Sequence, residues 1–151
     1  MAHDDTIFDA AGGLDGLTSL AHAWHLRVLA DEVVVHSFSH GYHADHTHRL
    51  ATYWAEALGG PAHYSRAIAD ESAVIRMHSG NGAHDEMDER AIACFEAALA
   101  DVGFDADPRL FLALADYFRW ATTGPMAAYP DSADDVPDGL AIARWDWDGP
   151  L

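Results

Sequence analysis

Apolar residues in this chain recur mostly at every third or fourth position, the spacing of one face of an α-helix. Strict alternation of apolar and polar residues, which would predict strands, is almost absent, and the strong helix former alanine is abundant. The pattern therefore predicts an all-α fold. Its predicted helices span residues 6–11, 15–30, 44–58, 68–77, 85–102 and 107–122.

Glycine and proline mark where these helices end. The Gly-Gly-Pro run at 59–61 ends one long helix, because glycine adopts the left-handed cap and proline cannot continue the helix. Asp107 and Pro108 begin the last helix as its N-cap and its first residue. We therefore expect a helical domain over residues 1–124 and an extension over residues 125–151.

The extension is rich in proline, aspartate and glycine, yet it contains Trp145 and Trp147. A purely disordered tail seldom carries two tryptophans. We expect it to pack on the helical domain or on a partner subunit of a homodimer.

The formal net charge of −17 excludes some partners. Such a surface repels nucleic acid and anionic membranes, because both bind basic patches. No apolar run of about 18 residues predicts a membrane-spanning helix, and residues 1–8 do not resemble a secretory signal. A single cysteine, Cys94, excludes an internal disulfide and fits a reducing cytoplasm, which is the expected location.

Eleven histidines raise the question of a metal site. His78 closes the segment 74–78, His46 lies on the apolar face of its helix, and His25 lies at the edge of another apolar face. Each alone is better explained as a core or boundary histidine with a local hydrogen-bond partner. Paired cysteines, phosphate-binding loops and zinc-protease motifs are absent, which leaves the chemistry to the histidines.

Four short motifs follow one another along the chain. They are Phe-Asp-Ala-Ala-Gly-Gly at 8–13, Tyr-Trp at 53–54 with Gly-Gly-Pro-Ala-His-Tyr-Ser at 59–65, Arg-Met-His at 76–78, and Ala-Ala-Leu at 97–99. In this order, and joined by these helix lengths, they resemble the group II truncated haemoglobins over residues 7–122. The resemblance implies a 2-on-2 globin-like helical sandwich that binds haem b and its iron.

The resemblance also implies roles for individual residues. His78 would bind the iron as the proximal ligand. Tyr64 and Arg76 would hold the haem propionates, since arginine offers a carboxylate several donors. The distal pocket would be formed by His25, Phe38, His46, Leu50, Trp54 and Ala91.

The chain departs from the family at several of these positions. Family members usually carry tyrosine where His25 falls, many carry a small residue at His46, and many carry tryptophan at Ala91. The pocket would therefore have two histidines and an open space beside Ala91. Ser-Gly-Asn at 79–81 replaces the usual aromatic after the proximal histidine, and one residue is missing between Met77 and His78.

The minimal function implied by the resemblance is reversible binding of dioxygen or another small ligand. In one state, His46 or His25 donates an N–H to the bound ligand. In the other, His46 coordinates the iron itself and must leave before a ligand binds. Peroxidase-like or nitric-oxide dioxygenation chemistry, served by an electron-donor protein, stays open, and with it whether the protein is an enzyme.

A non-haem metal site in a helical bundle is an alternative. Its ligands would be drawn from His25, His43, His46 and His78. Such sites usually recruit carboxylates from facing helices. Asp45 and Glu56 are expected to point away from His46, with Thr52, His48 and Glu56 facing solvent, which disfavours this alternative.

A helical interaction domain without any cofactor is the second alternative. Its docking features would be the acidic surface and the two tryptophans of the extension. A colourless protein that holds no metal would favour it.

Overall fold

Helices make up most of the chain in the computed structural model, which describes residues 5–35, 45–82 and 84–151. They are α1 (Ile7–Ala10), α2 (Gly13–Ala30), α3 (His46–Ala57), α4 (His63–Ala67), α5 (Glu71–Met77), α6 (Asp85–Asp101) and α7 (Pro108–Thr123). Short 3-10 turns at Phe104–Ala106, Pro125–Ala127 and Ala133–Asp135 precede a small hairpin of β1 (Trp145–Asp146) and β2 (Gly149–Pro150). The predicted all-α fold with an irregular tail is confirmed.

Two helix pairs enclose the core. Helix α2 packs on α3, α6 packs on α7, and α2 also contacts α6. At the centre, Phe95 of α6 meets Phe118 of α7 edge-on at 4.2 Å between ring centroids, and meets Trp54 of α3 at 5.4 Å. Edge-to-face packing of this kind stabilises aromatic cores beyond the area that it buries. Among the described residues, no helix is both long and apolar enough to cross a bilayer.

The two glycine-containing motifs of the sequence contact each other. Gly59 has φ +104°, and a Cβ there would lie 2.7 Å from the side chain of Thr6. A Cβ on Gly60 would lie 2.7 Å from the ring of Phe8. The amide of Phe8 donates to the carbonyl of Leu58 at 3.0 Å. The glycine pair therefore lets the end of α3 approach α1, which explains why only glycine fits at both positions.

The region between α3 and α6 contains more helix than the sequence predicts. Helix α4 was not predicted, and α5 begins at Glu71 rather than at Ile68. The carboxylate of Asp70 accepts from the amide of Ala73 at 2.9 Å and caps α5 there. An aspartate N-cap satisfies an amide that the first turn leaves unpaired, so the helix starts after it.

The expected exposure of Thr52 and Glu56 is wrong. Both residues are buried, whereas His48 is exposed as expected. The carboxylate of Glu56 accepts from the amide of Ser65 at 2.8 Å and from its hydroxyl at 2.6 Å. The unpredicted helix α4, which contains Ser65, supplies the donors that make burial of this carboxylate tolerable.

The tail packs on the helical domain of its own chain. Trp145 is buried, and its ring lies 5.7 Å from the rings of both Tyr117 and Trp120 on α7. The indole Nε1 of Trp147 donates to the carbonyl of Asp5 at 2.8 Å, near the other end of the chain. Because Trp145 belongs to the main core cluster, the tail contributes to that core, and the domain boundary after residue 124 stays a prediction.

Candidate functional site

His78 lies at the C-cap of α5, with one ring nitrogen held by the preceding turn. Its Nδ1 is 2.8 Å from the carbonyl oxygen of Val74. A carbonyl can only accept, so Nδ1 carries the proton, and Nε2 of the neutral ring keeps a lone pair. Although the residue keeps exposed surface, the protein atoms packed around the ring lower the pKa of His78 and favour this neutral form. These are the properties of an imidazole that ligates haem iron, so the residue fits the predicted role.

An ion pair near His78 was not predicted from the sequence. Nδ1 of His84 lies 2.8 Å from a carboxylate oxygen of Asp88, one turn further along at the start of α6. Burial raises the pKa of Asp88. The two side chains act on the pKa of His78 in opposite directions, His84 lowering it and Asp88 raising it. The i, i+4 spacing of a histidine and an aspartate was the available signal.

The structure brings together two predicted distal residues, His25 and His46. His25 is buried in α2, and His46 is the half-buried first residue of α3. Nδ1 of His46 hydrogen-bonds Nε2 of His25, and the ring centroids are 4.4 Å apart. The other nitrogen of His25, Nδ1, lies 2.8 Å from the hydroxyl of Thr47. We call these three residues the distal histidine network; Thr47 was not predicted as part of a site.

Burial keeps the centre of this network uncharged. Burial, together with the nearby rings of His46 and His22, lowers the pKa of His25 to about 4. At neutral pH the His25 ring is therefore neutral, so it has one N–H donor and one lone pair. The ring can hold two neighbours at once, one by donating and one by accepting.

Leu50 and Trp54 follow His46 at intervals of four along α3, which places all three on one face of that helix. Leu50 is half-buried against the main core. Trp54 is buried and meets Trp24 edge-on at 6.5 Å between centroids. Phe38, the remaining aromatic of the predicted pocket, lies outside the described residues.

The space expected beside Ala91 is filled by Trp24. The indole Nε1 of Trp24 donates to the carbonyl oxygen of Ala91 at 3.1 Å. Its ring packs against a small apolar cluster that includes Val28, Ala91 and Cys94. The ring also lies 5.6 Å from that of His25. The small side chain of Ala91 leaves room for an indole from the neighbouring helix, so a tryptophan reaches this place from α2.

The two residues predicted to hold propionates lie in different surroundings. Tyr64 is buried in α4 and packs edge-on against Tyr53 at 5.3 Å. Arg76 donates to the carbonyl of Val136 at 3.1 Å and forms an ion pair with Asp138, both in the tail. The propionate roles of Tyr64 and Arg76 stay predictions.

Arg49 is a further basic side chain on this part of the molecule. Burial raises the pKa of Tyr64, and the positive charge of Arg49 opposes that rise, which places the guanidinium near the phenol. Among the described residues Arg49 forms no ion pair, although the chain carries an excess of acids. A guanidinium that has no ion pair in the described part of the chain is a side chain that suits a carboxylate.

The alternative of a non-haem metal centre finds no cluster in the parts of the chain that the structure describes. Within residues 5–35, 45–82 and 84–151, no three histidine, cysteine, aspartate or glutamate side chains lie together as a metal site would need. His43, one of the ligands of that alternative, lies outside the described residues.

Comparison with known proteins points to one family. A family model described as bacterial-like globin matches residues 6–121. A haemoglobin from the actinobacterium Thermobifida fusca is 24% identical with a TM-score of 0.67, covering 82% of this chain and 98% of that one. The Trp90Leu mutant of a group II truncated haemoglobin from Bacillus anthracis is 17% identical with a TM-score of 0.69, covering 90% and 100%.

A triple mutant of ASV-TfTrHb is similar as well, with 23% identity, a TM-score of 0.65 and coverage of 92% of this chain and 99% of that one. A search of curated proteins returns no match. At these identities the solved structures establish the fold, and the family model extends over most of the chain. The resemblance to truncated haemoglobins is confirmed.

Proposed function

The chain belongs to the bacterial-like globin family and takes haem as its cofactor, and we propose that His78 ligates the iron of a site that binds dioxygen or another small ligand. When bound, haem supplies the iron centre at which such a ligand is held. Everything else in the proposal concerns what the side chains of this chain do around it.

The observation that carries the proposal is the hydrogen bond between Nδ1 of His78 and the carbonyl oxygen of Val74. It fixes the proton on Nδ1 and orients the ring, so that Nε2 presents its lone pair. Hydrogen bonding at the second nitrogen also makes an imidazole a more basic ligand. The position of His78 at the end of α5 supports the same role, because the last turn of the helix itself holds the ring.

On the distal side we propose that the network of His25, His46 and Thr47 serves the bound ligand. A bound ligand of anionic character is stabilised by a neutral N–H donor, and hydrogen bonds to charged groups contribute about 1.5–3 kcal/mol. A stabilisation of this size slows the dissociation of the ligand by about ten- to hundred-fold. No observation within the described residues favours a peroxidase-like or nitric-oxide dioxygenation reaction, so the proposal is limited to ligand binding.

The test is a haemin titration followed by the visible absorption spectrum of the full chain, oxidised and reduced. We expect a sharp Soret band that saturates at one haemin per chain. His78→Ala should lose or strongly shift this band, because the iron loses its proximal nitrogen. His48→Ala is the matched control, since His48 is an exposed histidine of α3.

Each outcome of the titration has a definite meaning. An unchanged spectrum in His78→Ala would show that another residue ligates the iron. No specific uptake by the wild-type chain would overturn the whole proposal. A six-coordinate ferrous spectrum that becomes five-coordinate in His46→Leu would show that His46 itself occupies the distal coordination position.

A further inference from the structure

We propose that the tail, residues 125–151, belongs to the proximal side of the site, and that Ser72 is a positioning residue. Ser72 ties α5 to the tail and thereby holds His78 in the orientation in which it ligates iron. The proposal rests on the proposed ligation of haem iron by His78. It gives a role to a part of the chain that lies beyond residues 6–121, the stretch that the family model matches.

Helix α5 needs support from other elements because it is short. It has seven residues, and helices shorter than about 12–15 residues are marginal in water when they stand alone. Its last turn supplies the carbonyl of Val74 that holds Nδ1 of His78. Fraying of that turn would release the ring, so the contacts that stabilise α5 also fix the proximal histidine.

The tail makes the most extensive contact with α5 among the described elements. The 3-10 turns at Pro125–Ala127 and Ala133–Asp135 both pack against this helix. The hydrogen bond from Tyr53 to Glu71 links α5 to α3 as well, but Glu71 is the first residue of α5 and His78 follows its last. The tail is therefore the main support of the helix that carries His78.

Ser72 joins α5 to the tail with both functions of its hydroxyl. Its Oγ donates to the carbonyl of Pro137 at 2.7 Å and accepts from the amide of Leu140 at 3.0 Å. The side chain of Ser72 is fully buried, so water does not compete for these bonds. One serine hydroxyl thus fixes the path of the tail across α5 at two points.

Further hydrogen bonds to the tail lie on both sides of His78. Two residues before it, the guanidinium of Arg76 donates to the carbonyl of Val136 at 3.1 Å. Two residues after it, the amide of Gly80 donates to the carbonyl of Tyr129 at 3.1 Å. The backbone that carries His78 is therefore held to the tail before and after the histidine, which limits how far the ring can turn.

The experiment compares Ser72→Ala with wild type in the haem-loaded full chain. Ser72→Ala removes one oxygen and with it both hydrogen bonds to the tail. Trp147→Phe is the matched control, because it removes the indole N–H that donates to Asp5 and so loosens the tail away from α5. Arg76 is not substituted, since the sequence motif also assigns it a haem propionate.

The first measurement is amide hydrogen exchange of residues 75–79. We expect exchange in Ser72→Ala to be about ten-fold faster than in wild type, because the last turn of α5 opens more often. The second measurement is the iron–histidine stretching band in the resonance Raman spectrum. It is recorded on the ferrous chain directly after photolysis of its carbon monoxide complex, so that a distal ligand does not obscure the band.

The position of this band reports the orientation and basicity of His78. A hydrogen bond from Nδ1 makes the imidazole a stronger ligand, so loosening the turn that accepts it should weaken the iron–nitrogen bond. We expect the band of Ser72→Ala to be broader and at lower frequency than that of wild type, and the band of Trp147→Phe to be unchanged. A loss of stability alone would not move it.

Asp138→Ala keeps the test decisive if Ser72→Ala does not fold. The side chain of Asp138 is exposed and pairs with Arg76, so its removal weakens the same attachment without emptying a buried site. We expect a shift of the iron–histidine band in the same direction as in Ser72→Ala, but smaller.

Several results would overturn the inference. One is a wild-type band in every folded variant of Ser72 and Asp138, even if hydrogen exchange becomes faster, since the tail would then stabilise α5 without positioning His78. Another is an equal shift of the band in Trp147→Phe. Failure of the wild-type chain to take up haem would instead refute the proposed function, and the Soret band recorded before both measurements separates the two failures.

Discussion

Two polar clusters are built on opposite ends of the same helix, α3, and they differ in what their members do. At the start of α3, the distal histidine network joins two aromatic bases and a hydroxyl. Near its end, Tyr53 donates its hydroxyl to a carboxylate oxygen of Glu71 at 2.7 Å, and the nearby backbone amide of Ala143 acts to lower the pKa of the same carboxyl group. We call Tyr53, Glu71 and the Ala143 amide the carboxylate cluster.

The carboxylate cluster is closed by the tail. Ala143 comes from the tail, and the buried Trp145 covers Tyr117, whose own pKa is raised by burial and by nearby Glu71. Glu71 itself is buried, and burial raises its pKa. The hydrogen bond from Tyr53 to Glu71 joins α3 to α5, and Ala143 of the tail lies near the same carboxylate. The cluster therefore contributes to stability.

The histidine network is less enclosed, since His46 and Thr47 are only half-buried. The comparison shows that burial alone does not identify a functional group. Glu71 and His25 are equally buried, at 4% exposure each. They differ in their hydrogen-bond partners: Glu71 accepts from a buried tyrosine, whereas His25 bonds a histidine and a threonine that are only half-buried.

The largest expected effect is on stability in the carboxylate cluster. Glu71→Ala leaves the buried Tyr53 hydroxyl without its acceptor, and an unsatisfied buried group costs about 1–3 kcal/mol, to which the cavity left by the side chain adds. We expect the free energy of unfolding to fall by about 3 kcal/mol in urea titrations. Glu71→Gln keeps an acceptor oxygen and should cost about 1 kcal/mol or less. Equal losses in the two variants would show that the charge, rather than the hydrogen bonds, matters.

The second effect concerns the pH dependence of stability. Because burial holds the pKa of His25 at about 4 in the folded chain, against about 6.5 when unfolded, the unfolded state binds more protons between these values. Stability therefore falls as the pH drops from about 6.5 to 4, by about 2 kcal/mol from this residue. In urea titrations across that pH range, the free energy of unfolding of His25→Leu should fall less steeply than that of wild type.

His48→Leu is the control for the pH experiment, because His48 is exposed on α3. It should lose stability on acidification as steeply as wild type. A slope in His25→Leu that equals the wild-type slope would mean that His25 is protonated in the folded chain. The network would then carry a charge at its centre.

The smallest expected effect concerns the boundary between the two clusters, where Tyr64 packs on Tyr53 and lies near Arg49. If the guanidinium of Arg49 binds a haem propionate, Arg49→Gln should raise the rate at which haem is lost to an acceptor globin by about three- to ten-fold. Arg76→Gln should have a smaller effect, because Arg76 is already paired with Asp138. A larger effect at Arg76 would favour the assignment that the sequence motif implies.

Much of the fold follows from local sequence, as particular residues show. Asp107 caps α7 as predicted, accepting from the amides of Arg109 and Leu110 at 3.2 and 3.3 Å. The last two long helices end within a residue of their predicted limits, because their caps and periodicity are encoded in neighbouring residues. Helix α4 was missed, since five residues are too few for a periodic signal.

The candidate site, too, was predictable only in part. The motif around residue 78 and the spacing of His46 on its helix are features of the sequence, and both led to residues that the proposed site uses. The contact between Thr47 and His25 was not visible, because Thr47 has no feature that distinguishes it from any threonine at the start of a helix. Trp24 was assigned to an apolar stripe, and its contact with Ala91 spans 67 residues of chain.

Local sequence and motifs were enough to predict the helices, their caps, the glycine pair that ends α3, the family and the candidate proximal histidine. These depend on residues close together along the chain, or on motifs that can be compared directly. Four contacts between distant residues became visible only in the tertiary structure. His25 hydrogen-bonds His46, and Trp24 fills the space beside Ala91. Glu56 is buried under α4, and the tail packs on Tyr117. Periodicity indicates which face of a helix is buried, but it does not indicate which neighbouring helix packs against that face. The chemistry of this site depends on such contacts between helices.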